Sequence, residues 1–460
     1  MPLSGRNELN EEAMVDITRT LAHAIVQSRY EDIPAPVRHE AARALLNWCG
    51  CAIGGSRHPA VASALAAMLP FAGPAQAGIL GRAERVDILN AALINGISSH
   101  VLDFDDTHAV AIHLSVPVLP ALLALAEWQG HSGAELVHAF VVGVEAQCRV
   151  GLSVFPEHYQ AGWHITGTAG VFGAAAAAGK LLGLDEQRMV WALGIAATQS
   201  SGLRAMFGSM CKSLHPGRAA QGGLAAALLA ARGFTSSEHG IEAPRGFAHV
   251  MSTRFDPSIV TAPWAERYAL SSNMYKPFAC GLVVHGVIDG CIQLRDEHAL
   301  VPEMIERVDI KVSPIVLELT AIREPVSGLQ GKFSVFHAAA AALCFGAAGE
   351  AQFSDACVRD ARVIALRGRV HIEADAAIGR TQAHVSVRLR DARMLERDVV
   401  HALGTLERPM SDADLERKFR ALAAGIISEQ HCERIIAQCW NVATLRHVGG
   451  IAQAPGEGGT

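Results

Sequence analysis

Long runs of lysine and arginine are missing from this 460-residue chain, and its formal net charge is −6. Nucleic-acid surfaces need clustered cations, so no DNA or RNA partner is expected. Unbroken apolar stretches are missing too. The most apolar run, ITGTAGVFGAAAAAGKLLGL, is rich in Ala and Gly and interrupted by Thr and Lys, which suits a buried helix and not a membrane span. The N-terminal MPLSGRNELNEEAMVDITRTLAHAIV is acidic early and has no apolar core before a small-residue site, so it does not read as a signal peptide. The ten cysteines contain no CxxC pair and no Cys/His spacing typical of zinc, which points to reduced thiols and a cytoplasmic location. Nucleotide and hydrolase fingerprints are lacking as well: GxxxxGK[ST], GxGxxG after a strand, and GxSxG. Aromatics make up only 5% of a chain that is 50% hydrophobic, a balance that favours closely packed helices over a β-sandwich.

What is present divides into two textures, as the length leads one to expect. From about 12 to 270, apolar residues recur three and four apart and predict helices over 35–53, 84–102, 118–129, 133–153, 165–182, 187–198 and 217–232. Pro36 stands at a helix start, and Gly130 and Gly233 stand where C-terminal caps belong. Beyond about 272, RVDIKVSPIVLEL (307–319), ARVIALRGRVHIEAD (361–375) and AHVSVRLRDARMLERDVV (383–400) alternate apolar and polar residues and predict strands, with Asp391-Ala-Arg as a hairpin turn. A helix is expected at 333–349, and helix resumes at the N-cap Ser411. The fold class is therefore mainly α with an α+β part: a large helical domain from 1–271 and 405–460, and a smaller α+β lid domain at 272–404. The tail IAQAPGEGGT reads as disordered.

Four polar clusters interrupt the apolar pattern. HVLDFDDTHAVAIHLSVP (100–117) sets three aspartates with His108 and His113 between buried helices, where ionisable groups are costly unless paired, hydrated or used. Carboxylate and imidazole suit a divalent ion, but no second acidic cluster completes a shell, so no metal is expected. AGWHITGTAG (161–170) places His164 before an Ala/Gly helix that lets a ligand approach closely. GSMCKSLHPGRAAQGG (208–223) puts Pro216 at a helix start, with Lys212, Ser213, His215 and Arg218 around an N-terminus suited to a carboxylate or phosphate. NMYKPFACG (273–281) places Lys276 before Pro277 at another expected helix start, with a plain linker as the competing reading. Together these clusters suit a substrate with several carboxylates. An Asp or His would move a proton at carbon, and Lys212 with neighbouring N–H groups would stabilise the charge that builds on the carboxylate.

DFDDTH (103–108), GWHITGTAG (162–170), MCKSLHPGRAAQGG (210–223), YKPFACG (275–281), KFSVFHAAAAAL (332–343) and PMSDADLERKF (409–419) follow one another as in the MmgE/PrpD family, which the chain resembles over nearly its whole length. The resemblance implies a helical domain with an α+β lid, an active site between them, a homodimer, and no metal or organic cofactor. It implies an activity like that of 2-methylcitrate dehydratase, cis-aconitate decarboxylase or iminodisuccinate epimerase. Position by position, it nominates Asp103, Thr107, His113, His164, Lys212 and Lys276, and leaves Asp105 and Asp106 as structural caps. Two departures stand out: Gly281 where decarboxylase-like members carry His, and His337 where they carry Tyr, with His337 or His285 open as a substitute.

The reading is a cytoplasmic, cofactor-independent hydro-lyase acting on a small di- or tricarboxylate. A proton next to a carboxylate is removed and water is lost. Asp103 and His164 are expected to do acid–base work, and Lys212 and Lys276 to hold carboxylates. Thr107 and His113 would orient or protonate, and Ser213, His215, Arg218 and His337 would contact substrate. Epimerisation and decarboxylation are the enzymatic alternatives, and a catalytically silent scaffold of the same fold is the non-enzymatic one.

Overall fold

The computed structural model describes residues 16–110, 112–264 and 268–452. The signal-peptide reading rests mostly on residues 1–15 and the tail reading mostly on 453–460, both outside the described residues. The fold is mainly α with an α+β part. In chain order, the elements that build the site begin with helices α1 (Ala35–Gly55) and α2 (Ile88–His100), then a two-residue strand β1 (Thr107–His108). Helices α3 (Leu119–Gln129), α4 (Gly133–Ser153), α5 (Ile165–Leu181) and α6 (Cys211–Ala231) follow. A helix that is apolar on every side belongs inside a core. The Ala/Gly-rich α5 is buried at every residue from Ile165 to Gly179 and lies between α4 and α6. Among the described residues no helix is long and apolar enough to cross a membrane. All ten cysteines are free thiols.

Strand β2 (Asn273–Met274) pairs antiparallel with β1, Thr107 opposite Met274 and His108 opposite Asn273. Beyond it come α7 (His285–His298), β3 (Ile305–Val312), α8 (Pro314–Thr320), α9 (Val335–Phe345), β4 (Val370–Ala374), β5 (Ala383–Leu389) and β6 (Met394–Val399). The four longer strands form one mixed sheet in the order β4-β3-β5-β6, with β3 parallel to β4 and antiparallel to β5. Helices α7 and α9 pack on each other and on this sheet. Finally α10 (Asp412–Ala423), opened by a capping box at Ser411, returns to α1, where Phe419 covers Gly50.

Several boundaries differ from the sequence reading. Helix α2 begins at Ile88 because Asp87 caps it, and Arg85–Val86 pair as strand instead. The 307–319 and 361–375 stretches each contain one strand and one helix. Pro314 starts α8, and Asp360 caps a helix Ala361–Arg367 before β4. Pro216 lies inside α6, which begins at Cys211; the N–H groups of Lys212 and Ser213 bond Ser209 O and Met210 O, so the free-donor anion site does not form. No helix opens at Lys276: the segment follows β2, and a short 3-10 turn at Leu282–Val284 leads into α-helix at His285.

Helices α2 and α6 touch backbone to backbone. A Cβ on Gly96 would lie 2.5 Å from Gly217 Cα, and one on Gly217 would lie 2.6 Å from Leu93 O. This close crossing sets the C-terminal end of α2 beside the start of α6. Gly217→Ala gains up to about 1 kcal/mol of helix propensity. The clash with backbone is expected to outweigh this and destabilise the protein by roughly 1–3 kcal/mol net. Urea denaturation measures the difference, and an unchanged or raised midpoint would show that the helices do not approach this closely.

Candidate active site

A buried turn leaves its backbone carbonyls to find partners outside any helix or sheet ladder. Immediately beyond α2, Asp103 adopts a left-handed conformation (φ 49°), which costs a non-glycine residue about 1–2 kcal/mol. Three successive carbonyls in this turn each accept from a different lysine. Leu102 O accepts from Lys332 Nζ at 2.7 Å, Asp103 O from Lys276 Nζ at 3.1 Å, and Phe104 O from Lys418 Nζ at 2.6 Å. Lys332 also bonds Ala279 O at 2.8 Å, and Lys418 bonds Lys276 O at 2.9 Å and Asn47 Oδ1 at 2.8 Å. The Asp-rich turn and the Lys276 segment are therefore tied together by buried ammonium groups as well as by the β1–β2 ladder.

Asp103 Oδ1 accepts from both Lys212 Nζ at 2.7 Å and Lys276 Nζ at 2.9 Å. Burial alone would raise its pKa, but the two ammonium groups outweigh burial and hold the carboxyl well below the usual range. The lysines diverge. Burial, with Lys276 adding to it, pushes Lys212 down, whereas the pull of Asp103 outweighs burial and holds Lys276 above its ordinary value.

Lys212 Nζ also donates to His100 Nε2 at 3.1 Å, so His100 Nδ1 carries the hydrogen shared with Asp105 Oδ1 at 3.0 Å. Burial pushes His100 down to about 3, leaving the ring neutral. His113 Nδ1 lies 2.6 Å from Asp105 Oδ2 and donates to the Asp106 carbonyl at 3.0 Å. A carbonyl only accepts, so Nδ1 carries a hydrogen and Nε2 is the nitrogen left to act as a base. Asp105 is thus not a cap but the buried bridge between two imidazoles. Asp106 is the structural one: it accepts from Ser115 N, Ser115 Oγ and Asn273 Nδ2, and burial pushes it up to about 6.

His164 stands at the N-cap of α5, its Nδ1 2.9 Å from His215 Nδ1. Burial pushes His164 well down and His215 to about 4, so both rings are neutral near pH 7 and one Nδ1 donates to the other.

A cavity of about 90 Å³ is lined by Asp103, Thr107, His113, His164, Lys212 and Lys276, gathered from four separate segments. Tyr159 and Arg380, which carried no signal in the sequence, line it too, and Gly281 forms part of its wall. Four nominated residues are not among those lining it. Ser213 Oγ is turned to Met210 O, and Arg218 is exposed and bonds Gln221, because α6 begins a turn and a half earlier than expected. His215 stands behind His164. His337 packs on Phe353 with Nε2 on Gln352 O at 2.8 Å.

The family models for the MmgE/PrpD N-terminal and C-terminal domains match residues 19–260 and 278–442. The chain belongs to the MmgE/PrpD family. It is similar to the cis-aconitate decarboxylase-like protein oryM of Aspergillus oryzae, 28% identical over 91% of this chain and 93% of the relative. Cis-aconitate decarboxylase of Aspergillus terreus is 27% identical over 94% of each chain. The human cis-aconitate decarboxylase is 29% identical over 77% of this chain and 76% of its own.

A Cβ on Gly281 would have Thr320 Cγ2 at 4.0 Å as its nearest neighbour, so the wall is open there. His285 does not fill it: it packs on Phe278 and its Nε2 bonds Cys280 O at 3.3 Å. His100, Asp105 and His113 bring ligand atoms within 4.8 Å of one another, a donor set that suits a cation. Those atoms bond one another, and the Lys212 ammonium 3.1 Å from His100 Nε2 opposes a further positive charge.

Lys332, in KFSVFHAAAAAL, and Lys418, in PMSDADLERKF, carry no local signal of their buried positions. Burial pushes Lys418 from 10.5 down to about 8. Between those values the unfolded chain holds a proton that the folded one has released, so this residue's contribution to stability rises with pH there; below about pH 8 it is constant. Wild type should therefore gain on Lys418→Met by roughly 1.4 kcal/mol per pH unit inside the window. Urea unfolding at about pH 7.5 and 9.5 reads this, and an equal difference at both would show that the ammonium is not held in the interior.

Proposed function

We propose that the protein is a lyase acting on a small di- or tricarboxylate, and that its reaction begins by removing a proton next to a carboxylate. One observation carries this reading: a single cavity of about 90 Å³ joins His113, turned by Asp105, to two buried lysines that share Asp103. His113 Nε2 takes the proton from carbon, and the electron pair moves into the carboxylate as an enediolate. Lys212 and Lys276 face that charge, where preorganised cations act most strongly. The pair then returns to form the C=C bond while the β-hydroxyl leaves as water with a proton from Lys212, the lysine of lowered pKa.

Asp103 has a different part from the one its sequence suggested. Two ammonium groups hold it ionised and make it a weak base, so in this reading it is the counter-ion that fixes both lysines. His164 stands ready to orient the substrate or return a proton. Elimination of water is the preferred outcome because, among the described residues, no imidazole occupies the open wall at Gly281. Decarboxylation is the second reading, favoured by relatives named cis-aconitate decarboxylase at 27–29% identity.

Proton NMR in D₂O with citrate, methylcitrate, cis-aconitate and iminodisuccinate tests the reading. Deuterium is expected at a carbon next to a carboxylate, with loss of water from a hydroxy acid; carbon dioxide from cis-aconitate would instead establish the second reading. Neither exchange nor turnover with any of the four would sink the proposal and leave a scaffold of the same fold. Lys212→Ala and His113→Gln should each lower the rate about 10²- to 10⁴-fold. Full turnover in either would remove that residue from the chemistry.

A further inference from the structure

The loop 375–382 between β4 and β5 carries Arg380 to the cavity wall. Asp375 Oδ1 accepts from Ala377 N at 2.9 Å, and Gln382 Oε1 accepts from Gly379 N at 2.9 Å. The loop also presses on the first turn of α7, where a Cβ on Gly286 would lie 2.6 Å from Thr381 O. The backbone that presents Arg380 is thus anchored on both sides.

Its Nη1 donates to Val110 O at 2.6 Å, which steadies the guanidinium across the segment leading to His113. Among the described residues no carboxylate pairs with Arg380. The other cations here are already committed: Lys212 and Lys276 share Asp103, and neighbouring Arg204 pairs with Glu318 at 2.6 Å. Arg380 is therefore a half-buried cation on the cavity wall whose Nε and Nη2 have no acceptor among the described residues. An arginine in that state is suited to a carboxylate, which its planar fork takes with two parallel hydrogen bonds.

We infer that Arg380 determines specificity by taking a second carboxylate of the substrate with Nε and Nη2, while Lys212 and Lys276 hold the carboxylate at the reacting carbon. This rests on the carboxylate reading above and sharpens it. The substrate carries at least two carboxylates, and one of them meets the sheet-side loop.

Binding of two inert acids to the full-length protein separates the possibilities. Tricarballylate carries three carboxylates and crotonate one; the first is followed by calorimetry and the second by ligand-observed proton NMR. Arg380→Gln is expected to weaken tricarballylate 10- to 100-fold and leave crotonate unchanged. Arg380→Lys keeps a donor for Val110 O but lacks the fork, so it should recover only part of the loss. Thermal unfolding of both variants at the wild-type temperature shows that the loop is intact. Tricarballylate bound equally well by wild type and Arg380→Gln, or both acids weakened alike, overturns the assignment alone. A wild-type protein that binds neither acid overturns the carboxylate reading and the assignment with it.

Discussion

Three neighbouring carbonyls in the turn just beyond one helix, each held by a different buried lysine, are the constraint on which this site depends. Carbonyls in a buried turn have no ladder to satisfy them and need partners from elsewhere. Buried lysines are costly unless each ammonium finds acceptors. Leu102, Asp103 and Phe104 answer both needs at once with Lys332, Lys276 and Lys418. The same bonds hold Asp103 in its left-handed conformation, so its carboxylate is presented to Lys212 and Lys276 instead of continuing the helix.

Charge in the site is organised around that one carboxylate. Because Asp103 serves two lysines, the three groups titrate as a unit. Within it Lys212 is the more acidic cation and Lys276 the more permanent one. The imidazoles divide similarly. His100 is neutral and spends both nitrogens on Lys212 and Asp105, whereas His113 spends only Nδ1. His100 is fully buried and His113 partly so, and the number of partners separates a structural histidine from one with a nitrogen left for chemistry.

The distribution of these groups explains why distant parts of the chain belong to one site. The glycine crossing of α2 and α6 brings Lys212 to the end of α2. The segment before α9 contributes Lys332, the returning helix α10 contributes Lys418, and the loop before β5 contributes Arg380. The MmgE/PrpD N-terminal match, 19–260, takes in Lys212, and the C-terminal match, 278–442, takes in Lys332, Arg380 and Lys418.

Local chemistry was enough for much of this protein. Periodicity placed α3, α4 and α5 to within a residue, Gly130 capped as its φ of 78° requires, and the β5–β6 hairpin turned at Asp391-Ala-Arg. The ordered motifs supplied the six residues that meet in the cavity. Where local signals competed, as at Pro216 or Pro314, alternation and turn chemistry were each plausible and packing chose between them. Other features had no local signature. Lys332 and Lys418 meet their carbonyls 230 and 314 residues away, and Arg380 meets Val110 at a separation of 270. A lysine or arginine looks the same in sequence whether it points to water or to a strained turn. Which acceptor it finds, and hence whether it is surface charge or part of a site, is decided only when helices, sheet and returning C-terminal segment close around it.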